Sequence, residues 1–133
     1  MPDEPYEFLR GVELFSDVSD KDLRTIASSM RRRSFAAGDH IVSEGEGGVG
    51  FFFVETGAVA VTAHGNRLAT LGPGDHFGEV ALLAGAHRTA TVTADSDSIC
   101  WGMPAWNFRP LVREQPSVTI KLLERMARQL ANS

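Results

Sequence analysis

The sequence contains one cysteine, Cys100. That excludes an internal disulfide, and with no CxxC or Cys/His spacing around it the expectation is a reduced, buried residue on a strand. Long apolar runs are also missing. The densest, "FFFV" at 51–54, falls far short of the roughly 20 residues that a membrane-spanning helix needs. The opening "MPDEPYEFLR" is acidic, without the basic and then apolar regions of a signal peptide. These features predict a soluble, unexported, cytoplasmic chain with no membrane partner. Basic residues are scarce in clusters: the net charge is −4 and the only run is Arg31-Arg32-Arg33. Nucleic-acid binding requires grouped cations against phosphates, so no nucleic-acid partner is expected. The arginine run falls where a helix starting near Ser19 should end, and it is expected there as a solvated, dipole-complementing terminus.

What is present fits one domain. The 133 residues are 43% hydrophobic and 23% charged, enough for a single modest core. The chain divides into helix over 1–33, short glycine-punctuated strands over 34–103 and helix over 104–133. Glu4 to Arg10 can form a short helix. A stronger one runs from about 20 to 31, with Ser19 as N-cap and Leu23, Ile26, Ala27 and Met30 on one face. Turns every 8 to 12 residues in the middle third predict an antiparallel barrel or sandwich. Two of those turns are specific: His64-Gly65-Asn66 suits a hairpin, and Gly72-Pro73-Gly74-Asp75 a second reversal. In the last third Pro104 and Pro116 mark two helix starts. Pro110 should shorten or kink the first of them. Val118, Leu122, Leu123, Met126, Ala127 and Leu130 form an apolar stripe on the second, expected to lie on the β core or on a partner.

Chemistry concentrates in "FGEVALLAGAHRTATV", Phe77 to Val92. Gly78 permits close backbone approach. Glu79 to Leu83 can form one helical turn, whose first amides have no intrahelical acceptor. Arg88 supplies a planar fork that matches two phosphate oxygens. Glu79 cannot bind phosphate, but as an acceptor it suits a ribose hydroxyl. Phosphate and ribose together point to a nucleotide. The alternative is that Glu79 and Arg88 form an ordinary ion pair bridging the loop.

The same stretch closely resembles the phosphate-binding cassette of cyclic nucleotide-binding domains, F-G-E-x-A-L followed by arginine and small residues. "LFSDVSDKDLRTIASSMRRRSFAAGDHIVSEGE", "FVETGAVAV" and "FRPLVREQP" are similar to other parts of that family, so the resemblance spans most of the chain. It implies an α+β, mainly β fold: an antiparallel eight-stranded β-roll, or jelly roll, flanked by N-terminal helices and C-terminal B and C helices. It assigns the cyclic phosphate to Arg88 and to the amides near Ala81 and Thr89. Gly78 and Glu79 would take the ribose 2′-hydroxyl, while Val61 and Ala90 would line the base and sugar pocket. Phe77 and Val80 belong to the same ligand-binding cassette. The last helix is implied as a lid, with Arg128 and Gln129 the candidates to touch the purine. His87 replaces a common proline and is expected as a solvent-facing loop residue. The implied ligand is cyclic AMP, or alternatively cyclic GMP, since Thr89 suits either; no cofactor or metal is implied.

Three other classes share features of this sequence. A metal-dependent enzyme of jelly-roll type needs converging histidines, whereas His40, His64, His76 and His87 are isolated. A transcription regulator needs a recognition helix, and none follows before Ser133, so DNA binding is not expected unless the chain is a fragment of a larger transcription regulator; a fragment of a larger channel is the other such alternative. The remaining rival is a nucleotide-free β-roll acting on a protein partner, which would have no need of both Glu79 and Arg88.

Overall fold

The run Gly50–Val54 is buried along its whole length, and the strand period of two explains how. In the computed structural model, which describes residues 5–43, 45, 50–85 and 88–132, these residues open strand β3 (Gly50–Thr56). Phe51 and Phe53 belong to one hydrophobic cluster, with the helices. Phe52 and Val54 belong to another, with Val59, Leu71, Phe77, Val92 and Cys100. One strand therefore serves two cores, and its apolar run is continuous because both faces are covered.

The other strands are β1 (Arg31–Phe35), β2 (His40–Val42), β4 (Val59–Ala63), β5 (Asn66–Leu71), β6 (His76–Phe77), β7 (Thr91–Ala94) and β8 (Ser98–Pro104). They form two four-stranded antiparallel sheets, ordered β1-β8-β3-β6 and β2-β7-β4-β5. The expected antiparallel roll of eight strands is what the chain forms. Its two predicted turns are in place. His64 and Gly65 have φ of 53° and 80°, the left-handed pair of a tight hairpin joining β4 to β5. Across the second turn Asp75 N–H donates to Gly72 O at 3.0 Å, and the Asp75 carboxylate accepts from Gly72 N–H at 2.9 Å. Cys100 lies on β8, fully buried and unbridged, and burial pushes its thiol up to about 11.

The helices are α1 (Tyr6–Arg10), a 3-10 turn at Glu13–Phe15, α2 (Asp20–Ser28), α3 (Glu79–Ala84), α4 (Ala105–Glu114) and α5 (Pro116–Ala131). Glu4, expected at the first helix start, lies outside the described residues. Ser19 caps α2 as expected, accepting from Asp22 N–H at 3.2 Å. The arginine triplet is not at the end of this helix. α2 stops at Ser28, and Met30 turns into the core at 2% exposure. Arg31 to Arg33 then continue as exposed residues of β1, paired with β8 from Gly102 to Cys100. Burial of Met30 sets the reversal and overrides the dipole argument. Pro110 neither shortens nor interrupts α4, a ten-residue helix that continues past it to Glu114. The carbonyl that Pro110 leaves unpaired is that of Trp106, whose side chain is exposed, so water can take its place. The α5 stripe is divided. Val118 and Leu122 are buried in the helical cluster, whereas Leu123 and Leu130 are more than half exposed, as is Ile120 outside the stripe. Lys121 fixes this first half of α5 by donating to Glu13 O at 3.0 Å.

Phe53 is fully buried, with its ring 5.3 Å from Phe15 and 4.9 Å from Phe51. Phe53→Ala should lower unfolding free energy by about 3–5 kcal/mol in urea titrations, whereas Ile120→Ala on the exposed face should change it by no more than about 0.5 kcal/mol.

Candidate functional site

β6 is two residues long, and the chain leaves it through Gly78 at φ 105°, a value that favours glycine. Space demands glycine as well. A Cβ here would lie 2.6 Å from Gly50 O and 2.9 Å from Arg88 Nη1. This reversal starts α3, for which Gly78 is an N-cap without a side chain, and Gly85 at φ 64° ends it in the left-handed conformation. The short helix is held by Leu82, buried in the helical cluster.

Arg88 follows on the loop before β7 and is 5% exposed. Its Nη2 donates to Gly50 O at 2.7 Å and its Nη1 to Gly78 O at 3.0 Å. Its own carbonyl accepts from Gly45 N–H at 2.8 Å. Two of the five guanidinium N–H donors are thereby used, and the group is fixed against the turn that starts α3. Burial pushes its pKa below the ordinary arginine value, while the Glu79 carboxylate opposes that shift. An arginine remains cationic throughout ordinary pH.

Glu79, 6% exposed, does not bridge the loop to Arg88; among the described residues no hydrogen bond or ion pair joins them directly. Its Oε1 is 2.8 Å from Nδ1 of His76, a residue 7% exposed. The far nitrogen of that ring, Nε2, is 3.3 Å from Nη1 of Arg125 on α5. The ring itself packs against Phe51 and Phe53, with centroids 5.4 and 5.8 Å away.

A cavity of about 550 Å³ opens between β4, β5, the cassette and the second half of α5. All ten residues marked in the sequence line it: Val61, Phe77, Gly78, Glu79 and Val80, then Ala81, Arg88, Thr89, Ala90 and Gln129. Its floor includes Phe77, stacked on Phe52 at 5.2 Å. Arg128 is not among the described lining residues, and His87 lies outside the described residues. Sequence reading missed His76, Arg125 and Asn132, which also line the cavity. Arg125 could have been found from Gln129, because residues four apart share a helix face. His76 sits three residues before Glu79 but was weighed only as a metal ligand. No group of three or more metal-binding side chains occurs among the described residues. The site is thus an apolar-floored pocket with a fixed cation and a carboxylate side by side, suited to a small anion bearing hydroxyls.

Comparison with known proteins identifies this arrangement. The profile of the family described as "Cyclic nucleotide-binding domain" matches residues 32–115. An uncharacterized NTE family protein of Mycobacterium tuberculosis is 32% identical over 126 residues, covering 94% of this chain and 22% of that protein. The regulatory domain of Toxoplasma gondii PKA, solved with cAMP, superposes with a TM-score of 0.82 at 28% identity, over 93% of this chain and 48% of that one. The Thermus thermophilus catabolite activator protein superposes with a TM-score of 0.80 at 29% identity, over 90% of this chain and 58% of that one. The fold and the cassette thus define a ligand-binding regulatory class of β-roll. This chain belongs to the cyclic nucleotide-binding domain family. It spans only about a fifth of the length of the first curated relatives it matches.

Gly78→Ala should cost about 1–3 kcal/mol of stability from backbone strain and the forced displacement of Gly50 and Arg88. Thermal melts of the variant against wild type measure it, and an unchanged melting temperature would mean that the turn tolerates a side chain.

Proposed function

We propose that this chain binds a purine cyclic nucleotide, with cyclic AMP preferred, as the sensor part of a regulatory protein, without catalysing a reaction itself. The observation that carries this reading is Arg88: a buried guanidinium, held by two backbone carbonyls, in the wall of a cavity that Glu79 also lines. Its remaining donors would take the exocyclic phosphate oxygens, with the Ala81 and Thr89 amides beside it. Glu79 and Gly78 would take the ribose 2′-hydroxyl. The base would lie against Val61 and Ala90, above the Phe77 floor, with Val80 at the rim. The cAMP-bound Toxoplasma gondii domain supports cyclic AMP as the ligand. Thr89 alone does not decide between the two nucleotides, because one hydroxyl contact contributes only about 1 kcal/mol.

α5 would be the lid. Arg125, Gln129 and Asn132 lie on one face of it and line the cavity. A ligand that binds the closed arrangement more tightly than the open one shifts the helix toward closure. The exposed Ile120 and Leu123 could pass that shift to a protein partner. No helix among the described residues is long and apolar enough to cross a membrane. The lone buried thiol suits a reducing compartment, and the cytoplasm is the location we propose.

Calorimetric titration with cyclic AMP and cyclic GMP tests the reading. Arg88→Ala should lose about 2–5 kcal/mol of binding free energy, or roughly 30-fold to several thousand-fold in affinity. Arg88→Lys, with a charge but no fork, should fall between the two. Equal affinities in wild type and a folded Arg88→Ala would overturn the assignment, and cyclic GMP binding at least about tenfold tighter, about 1.4 kcal/mol, would reverse the choice of base.

Deleting residues 126–133 should weaken cyclic nucleotide binding while leaving the strand signal in circular dichroism intact. Undiminished affinity in the truncated chain would remove the lid from this account.

A further inference from the structure

His76 is the one buried histidine among the described residues, and the cassette chemistry above does not use it. Both its ring nitrogens are engaged. Arginine has donors only, so the 3.3 Å contact makes Nε2 the acceptor of Arg125 Nη1–H. Nδ1 must then carry the ring proton, and it donates to Glu79 Oε1 at 2.8 Å. Phe51 and Phe53 of β3 flank the ring and fix its plane. The result is a continuous polar chain from α3 through β6 to α5, along one wall of the cavity.

We propose that His76 is a positioning residue that couples the Glu79 carboxylate to the docking of the second half of α5, through Arg125. The coupling is physical. Glu79 is 6% exposed and receives its proton donor from His76, so the imidazole sets where its other lone pairs aim. Arg125 is the point of α5 that reaches this wall, beyond the buried anchors Val118 and Leu122. Displacing the ring disturbs both ends together.

Glu79 from α3 and Arg125 from α5 are the charged groups facing the ring, and β3 contributes only phenylalanines.

For its ligand part this inference rests on the cyclic nucleotide reading above, so the experiment has two arms on the full chain. The variants are His76→Phe, which keeps an aromatic ring against Phe51 and Phe53, Arg125→Met, and the double variant. In the ligand arm, release of a fluorescent cyclic AMP analogue is timed. At about pH 8 each single variant should release it about fivefold faster, and the double variant should match His76→Phe rather than the product of about 25-fold. In the ligand-free arm, nitrogen-15 spectra should show the His76 ring proton on Nδ1, and amide exchange in the 125–131 segment should speed up equally in both single variants. Multiplying effects or a ring proton on Nε2 would each overturn the proposal. If the wild type binds no cyclic nucleotide, the ligand reading fails, and the ligand-free arm still decides whether His76 couples Glu79 to α5.

Discussion

The site depends on how a buried guanidinium is kept in place. Arg88 is removed from water, and burial alone disfavours its charge. Compensation comes from the carbonyls of Gly50 and Gly78, which belong to different parts of the chain. Those two bonds tie the start of β3 to the turn that begins α3. They also determine the glycine: the Cβ that any other residue would add at 78 meets both the arginine and one of its acceptors. Cassette shape and cation position are therefore a single constraint.

β3 transmits that constraint inward. Its alternating phenylalanines are shared between the helical cluster and the space between the sheets. Phe52 supports Phe77 beneath the cavity, and Phe51 supports His76 beside it. The same residues that exclude water from the core thus set the floor and one wall of the pocket. Helix α4 packs on the Phe51 and Phe53 face of this strand through Phe108, and Val118 and Leu122 of α5 join the same cluster.

Local signals in the sequence were read correctly where one short-range rule dominates. Ser19 as a cap, the His64-Gly65 hairpin and the Pro116 helix start depend on nearest neighbours, and all are in place. Phe77 to Ala81 and Arg88 to Ala90 were marked from cassette spacing, itself a local pattern, and all of them line the cavity. Errors arose where tertiary burial decides. Met30 pulled the arginine triplet onto a strand, and the exposed side of α4 accommodated Pro110 without a break. His76 and Arg125 lie 49 residues apart, and their meeting depends on the path of α5, which no local pattern encodes.

The division of α5 has a consequence for how this chain can change. Its first half, with Val118, Lys121 and Leu122, is part of the folded body. Its second half, with Arg125, Gln129 and Asn132, faces the pocket. On the proposed function, substitutions a few residues apart on one helix would therefore act on separate quantities: the population of folded molecules on one side, the lifetime of a bound molecule on the other. Sequence drift beyond residue 124 would then retune response speed without eroding the scaffold, since the buried anchors Val118 and Leu122 lie before it.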